Sequence, residues 1–151
     1  MLQLACGDDR EFVESLAQQV HAAHVSWRPD LYETTDCLYP VQRFQEAIKL
    51  RQLYVAKLNG VPAGYILLKT RLCEAPGVVK HKAMVVEEIC VEEEFRGHGI
   101  GTAMMEDAKA LAKAFGCRDL RLGVYPQNDG AVAFYQKCGL MIRSIEMQMS
   151  V

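Results

Sequence analysis

Several things are missing from this chain, and each absence narrows its function. No apolar run approaches the roughly 18 residues that a bilayer-spanning helix needs, so no membrane partner is expected. Neither sign of charge dominates: 17 Lys and Arg stand against 19 Asp and Glu in 151 residues, a formal net charge of -2. Without a basic excess, no nucleic-acid partner is expected. The stretch Met1-Leu2-Gln3-Leu4-Ala5 has neither the basic start nor the long apolar core of a signal peptide, which points to a cytoplasmic protein. There is no Cys-x-x-Cys pair. Cys6, Cys37, Cys73, Cys90, Cys117 and Cys138 are scattered singly, so zinc and thioredoxin-like chemistry find no motif and no metal is expected. They read as reduced, small core residues. No repeat, low-complexity tract or long linker divides the chain, and its length favours one domain over residues 1–151.

What is present is an ordinary globular composition, 50% hydrophobic and 24% charged. A short strand near Leu2 to Ala5 leads to Asp8, which with Glu11 forms a capping-box pattern. Val13, Leu16, Val20 and Trp27 then follow helical spacing until Arg28-Pro29-Asp30 stops the helix. A second helix spans about Pro40 to Leu50, with Val41, Phe44 and Ile48 on its inner face. Three strands follow, about Leu53 to Leu58, Ala63 to Cys73 and Ala83 to Val91. The first two are joined by the hairpin signal Asn59-Gly60. Short connections make all three antiparallel neighbours.

The second half changes rhythm. A helix with the stripe Ile100, Met104, Ala108, Leu111 and Phe115 ends at Gly116. A strand from Leu120 to Val124, a short helix from Gly130 to Cys138 and one or two closing strands within Leu140 to Met149 complete the pattern. A strand–helix–strand crossover adds a parallel pair. The expected fold is α/β with a mixed sheet of six or seven strands and helices on both faces.

Between strand and helix lies Arg96-Gly97-His98-Gly99-Ile100-Gly101. Glycines let a ligand approach the main chain, and a helix start presents free N–H groups with partial positive charge. Together they form a nest for a phosphate or pyrophosphate. The spacing fits neither the dinucleotide fingerprint, since Thr102 stands where its third glycine belongs, nor the P-loop, which wants a lysine before Thr102. A plain flexible turn remains the alternative.

Here the sequence resembles the GNAT N-acetyltransferases. That family carries Arg/Gln-x-x-Gly-x-Gly/Ala between a strand and a helix, matched by Arg96, Gly99 and Gly101, and a hydrophobic-x-Val run before it, matched by Ile89-Cys90-Val91. Its later motif is matched by Asn128, Ala131, Phe134, Tyr135, Gly139 and Leu140. The resemblance implies acetyl transfer from acetyl-CoA to a primary amine by direct attack, in a GNAT-like sheet, with no metal. By analogy, the main chain from Gly97 through His98, Gly99, Ile100 and Gly101 to Thr102 holds the CoA pyrophosphate. Arg96 joins it there or braces the loop. The edge Ile89-Cys90-Val91 pairs with the pantetheine arm. Asn128 contacts that arm or caps the following helix. Tyr135 resembles the family's general acid, a phenol able to protonate the leaving thiolate.

The run from Glu87 to Val91 resembles that of small-amine acetyltransferases, where one acidic residue works through water as base and its neighbour holds a cationic substrate. Glu87 is taken as the base and Glu88 as the substrate contact. Adjacent strand residues point to opposite faces, so both can serve one pocket only if the strand bulges. Tyr32, with Tyr39 and Asp36, is a candidate wall for the acceptor. His21 and His24 read as ordinary helix surface, and Glu92-Glu93-Glu94 as a solvated loop. The implied acceptor is a small cationic amine. The alternatives are a protein N-terminus or lysine, or a non-catalytic acyl-CoA-binding module. A homodimer is a further family-level expectation.

Overall fold

The structure, a computed structural model, describes residues 1–151. Its elements run β1 (Leu2–Leu4), α1 (Arg10–Trp27), α2 (Val41–Lys49), β2 (Leu53–Leu58), β3 (Val61–Cys73), β4 (His81–Val91), α3 (Ile100–Ala114), β5 (Asp119–Leu122) and α4 (Asp129–Lys137). One sheet holds five strands in the order β1-β2-β3-β4-β5. All pairs are antiparallel except β4 with β5, which is parallel. The hairpin turn falls at Asn59 and Gly60, both at positive φ, as its sequence requires.

The sheet separates two cores. On one face Val13, Leu16 and Ala17 of α1 and Phe44 and Ala47 of α2 pack on Leu53, Val55, Tyr65, Leu67 and Cys90. On the other, Ile100, Met104, Ala108 and Ala112 of α3 pack on Ala63, Ile66, Leu68, Met84 and Val86. Helices therefore cover both faces, and the chain's α/β pattern is realised with fewer strands than the sequence suggests. No helix is long and apolar enough to cross a membrane.

Four details differ from the sequence reading. Leu140 to Met149 forms no strand; residues 141–151 are exposed throughout. The first helix is not capped by Asp8. A single 3-10 turn, Gly7–Asp9, precedes it, and Asp9 takes the backbone N–H of Cys6 at 2.9 Å and the Lys57 ammonium at 3.0 Å. Of the six cysteines only Cys90 is buried, while Cys6 and Cys37 are exposed. β5 ends at Leu122 rather than Val124, because its register with β4 stops at Val86↔Leu122. That early stop opens the site.

Candidate active site

Beyond Val86, β4 is paired on one side only. Its partner β3 continues alongside to Gly64↔Val91, but β5 has already left. The edge of residues 87–91, which includes Ile89, Cys90 and Val91, therefore faces an opening between the two parallel strands. Apart from the Val91 carbonyl, which Arg96 takes, the main-chain groups that point away from β3 are open to an extended ligand arm, in the manner of an added strand.

At the end of that edge lies the glycine loop. Gly97 and Gly99 take φ of +76° and +79°, and a Cβ on either would meet no atom within 4 Å. A side chain there would be strained for lack of a suitable backbone conformation rather than for lack of space. The N–H groups of residues 97–102 donate to nothing within the chain, and the first helical bond of α3 runs from Ala103 N–H to Gly99 at 3.0 Å. Buried Ile100 anchors the helix start in the core, so its role toward a ligand is confined to the main chain. Six consecutive unpaired donors stand at the start of a fifteen-residue helix, the donor pattern to which an anion can bind. That donor set suits a pyrophosphate.

Arg96 holds the loop to the strand: its Nε donates to the Val91 carbonyl at 2.9 Å. His98 bonds the Arg96 carbonyl through Nδ1 at 2.8 Å and is exposed. Gly101 has a different reason to be glycine, since a Cβ would approach the Phe134 ring to 3.1 Å. That contact seats α4 against the start of α3.

α4 carries Tyr135 and Asn128 at its head. The Asn128 side chain accepts from Ala131 N–H at 3.2 Å, which makes it the helix cap. The Tyr135 hydroxyl makes no hydrogen bond within the chain. Burial, then the neighbouring thiols Cys138 and Cys90, raise its pKa above the ordinary phenol value. It stays protonated across the neutral range, able to donate, on the side of the opening where Cys90 lies. Burial likewise raises the Cys90 thiol, which keeps it protonated and a poor nucleophile.

The two glutamates separate sharply. The register shifts between Leu67↔Glu88 and Leu68↔Val86, so Glu87 is the extra residue of a β-bulge. Val86 and Ile89 both join the α3-side core, while Glu88 and Cys90 look to the α1–α2 side. The bulge needed for both glutamates to serve one pocket is therefore present. Glu87 is exposed, unpartnered and the first residue past the end of β5 pairing. Glu88 is fully engaged: Oε2 accepts from Tyr39 at 2.7 Å and Tyr65 at 2.8 Å, and Oε1 pairs with Arg43 at 2.8 Å. Burial, and then the Glu88 charge, push the Tyr39 and Tyr65 phenols far above their usual range.

Glu14 of α1 steadies this network from behind by accepting the N–H groups of Leu38 and Tyr39 at 2.9 and 2.6 Å. Above it sits an aromatic group. Tyr32 and Tyr125 share a hydroxyl–hydroxyl bond of 2.8 Å, and the His24 ring lies 5.2 Å from Tyr32 and 5.7 Å from Tyr125. Burial, then the nearby His21, lower the His24 pKa, with Glu88 opposing. His24 is thus built into a wall rather than plain surface. Asp36 is exposed and makes no side-chain bond to this group, and Glu92 to Glu94 form a short turn in which Glu92 caps Glu93 N–H at 3.0 Å. No His, Cys, Asp or Glu cluster is arranged to hold a metal ion.

The profile of the acetyltransferase (GNAT) family matches residues 18–140. The chain belongs to that family. It is 35% identical over 86 residues to an uncharacterized N-acetyltransferase of Methanocaldococcus jannaschii, a match covering 57% of this chain and 37% of that one. It is 33% identical over 109 residues to an N-alpha-acetyltransferase of Sulfurisphaera tokodaii, covering 67% and 64%. The match thus spans between about a third and two thirds of the length of these curated relatives. Among solved structures, a mutant of the BH1408 protein from Bacillus halodurans superposes with a TM-score of 0.92 at 28% identity, covering 100% of this GNAT chain and 99% of that one.

Tyr125 joins Tyr32, and Tyr65 and Arg43 join Glu88, without any motif that marks them. Tyr125 had a faint signal, an aromatic just past a strand end and before Pro126. Tyr65 and Arg43 had none, since a strand tyrosine and a helix arginine are unremarkable until the fold brings them to Glu88.

Proposed function

We propose that this GNAT chain moves the acetyl group of acetyl-CoA to a primary amine by direct attack on the thioester. The observation that carries the reading is the continuity of the free β4 edge with the six unpaired N–H groups of residues 97–102. One end suits an extended amide-bearing arm and the other a pyrophosphate, the two parts of CoA.

The thioester then lies in the opening, near Tyr135 and Glu87. The amine nitrogen attacks the carbonyl carbon, the tetrahedral adduct collapses, and the thiolate leaves. Tyr135 gives that sulfur a proton or hydrogen bond. Glu87, free and solvated, takes the amine proton through water. Glu88 has both oxygens committed, so it acts as a positioning residue that fixes Tyr39, Tyr65 and Arg43 along the acceptor side. The acceptor enters from the α1–α2 face, between Glu87 and the Tyr32–Tyr125 wall. Carboxylate and aromatic faces together favour a small cationic amine. The name of the Sulfurisphaera tokodaii relative supports a second reading, in which the acceptor is a protein α-amine.

The test is thiol release from acetyl-CoA with a panel of acceptors: a diamine, a polyamine, an aminoglycoside, free amino acids, and peptides with a free N-terminus or lysine. Turnover best with the small polycations is expected. Preference for peptide N-termini would select the second reading. CoA binding without turnover on any amine would contradict catalysis and leave a binding module.

A further inference from the structure

A small cavity lies at the end of the sheet remote from the glycine loop. Phe115, in its wall, caps the C-terminal end of α3. The fifteen residues of that helix separate it from the loop by about 22 Å. The cavity measures about 40 Å³, room for roughly three waters or one small molecule. Its polar lining is Arg51, Gln52, Tyr54 and Thr70, and no Asp or Glu contributes.

Two of these residues are unusual. Tyr54 is 4% exposed, and its hydroxyl is buried without a hydrogen-bond partner. An orphaned hydroxyl of this kind weakens the fold unless something else supplies the bond. Arg51 ends α2 at a φ of +55°, where its N–H donates to the Ile48 carbonyl at 2.9 Å and the Gln52 N–H to that of Ala47 at 2.8 Å. This is the left-handed helix stop at which glycine is favoured, and an arginine there strains the backbone. The Arg51 guanidinium forms none of the chain's ion pairs. Burial raises the Tyr54 pKa and the nearby Arg51 charge opposes the rise, so cation and phenol are neighbours. The carbonyl of Phe115, at the negative end of α3, is covered by the Lys82 ammonium at 2.9 Å.

We propose that this cavity binds a short-chain carboxylate, with its oxygens on the Arg51 guanidinium and the Tyr54 hydroxyl. One cation with neutral donors and no acid matches a single negative charge. Leu50, Met84 and Phe115 give an apolar lining for a short alkyl end, which a phosphate lacks. The carboxylate supplies the acceptor that Tyr54 is missing, and it gives a reason for arginine at a glycine position. The inference does not rest on acetyl transfer.

The test is a titration of the isotope-labelled chain with sodium propionate, and separately with inorganic phosphate, at constant ionic strength and followed by amide NMR. Saturable shifts with propionate are expected at Arg51, Gln52, Tyr54 and Thr70, with phosphate at least about 10-fold weaker there. Tyr54→Phe is expected to weaken propionate by about 10-fold, the loss of one hydrogen bond to a charged acceptor. Arg51→Gly is expected to abolish saturation yet melt no lower than the wild type, because glycine relieves the left-handed backbone. No saturable shift with propionate means that water alone fills the cavity, and overturns the proposal. So do shifts confined to residues 97–102, phosphate binding as tightly as propionate, or either variant binding propionate as the wild type does. Should Arg51→Gly melt lower, the arginine also serves the fold, and Tyr54→Phe alone decides the site.

Discussion

Tyr32 and Tyr125, 93 residues apart, share a hydroxyl–hydroxyl hydrogen bond of 2.8 Å beside the His24 ring. This single bond ties the segment after α1 to the segment after β5, and so closes the acceptor side over the opening beside β4. Tyr125→Phe should leave CoA affinity unchanged and raise the acceptor KM by about 3- to 10-fold, since a hydrogen bond of this kind contributes on the order of 1 kcal/mol. Steady-state kinetics with each substrate varied in turn checks it. An altered CoA affinity with an unchanged acceptor KM would place the pair on the other side of the site.

Tyr135→Phe should lower kcat by about 100-fold or more while CoA binds as before, because only the proton donor is lost. Calorimetry gives the binding and thiol release the rate. Unchanged turnover would remove Tyr135 from the chemistry.

The two glutamates make opposite predictions. Glu87→Gln should flatten the acidic limb of the pH–rate profile, with little effect on folding, since Glu87 has no partner. Glu88→Gln should instead lower stability by about 1–3 kcal/mol through loss of its charged hydrogen bonds, while the acidic limb keeps its position. Reversed outcomes would exchange the roles of base and positioning residue.

Glu14 gives a stability test. Burial works to raise its pKa, but hydrogen bonds from Leu38 N–H, Gln18 and Tyr39 N–H outweigh it, and the folded value lies below 4.5. A depressed carboxylate stabilises the fold above its unfolded pKa and loses that contribution as pH falls through the folded value. Glu14→Gln should cost about 1 kcal/mol at pH 7, a low figure because the side chain is partly solvated, and the difference from wild type should shrink below pH 4.5. Urea midpoints across pH 3 to pH 7 would measure it; a constant difference would contradict the assignment.

The parts of the site made by contiguous residues were legible in the sequence. Gly97, Gly99 and the helix start at Ile100 are neighbours in the chain, so the left-handed turns and the run of unpaired N–H groups could be read directly. Asn128 was readable either as a cap or as a cofactor contact, and the fold shows the cap. The Glu88 cluster was not, because Tyr39, Arg43 and Tyr65 come from three elements and meet only after packing. The bulge at Glu87 was posed as a condition but could not be located, since register depends on the facing strand. Leu140 to Met149 carries a strand's pattern without a strand's pairing. Alternation reports a preference for one buried face and cannot say whether the fold supplies a partner for it.

The central claim is that the main chain of residues 97–102 and the edge of 89–91 hold CoA. Backbone amide exchange, with and without saturating CoA, tests it most directly. The expected result is slowed exchange at Gly97 to Thr102 and within Ile89 to Val91, with the α1–α2 face little changed. Tight CoA binding that leaves those amides exchanging as in the free protein would contradict it.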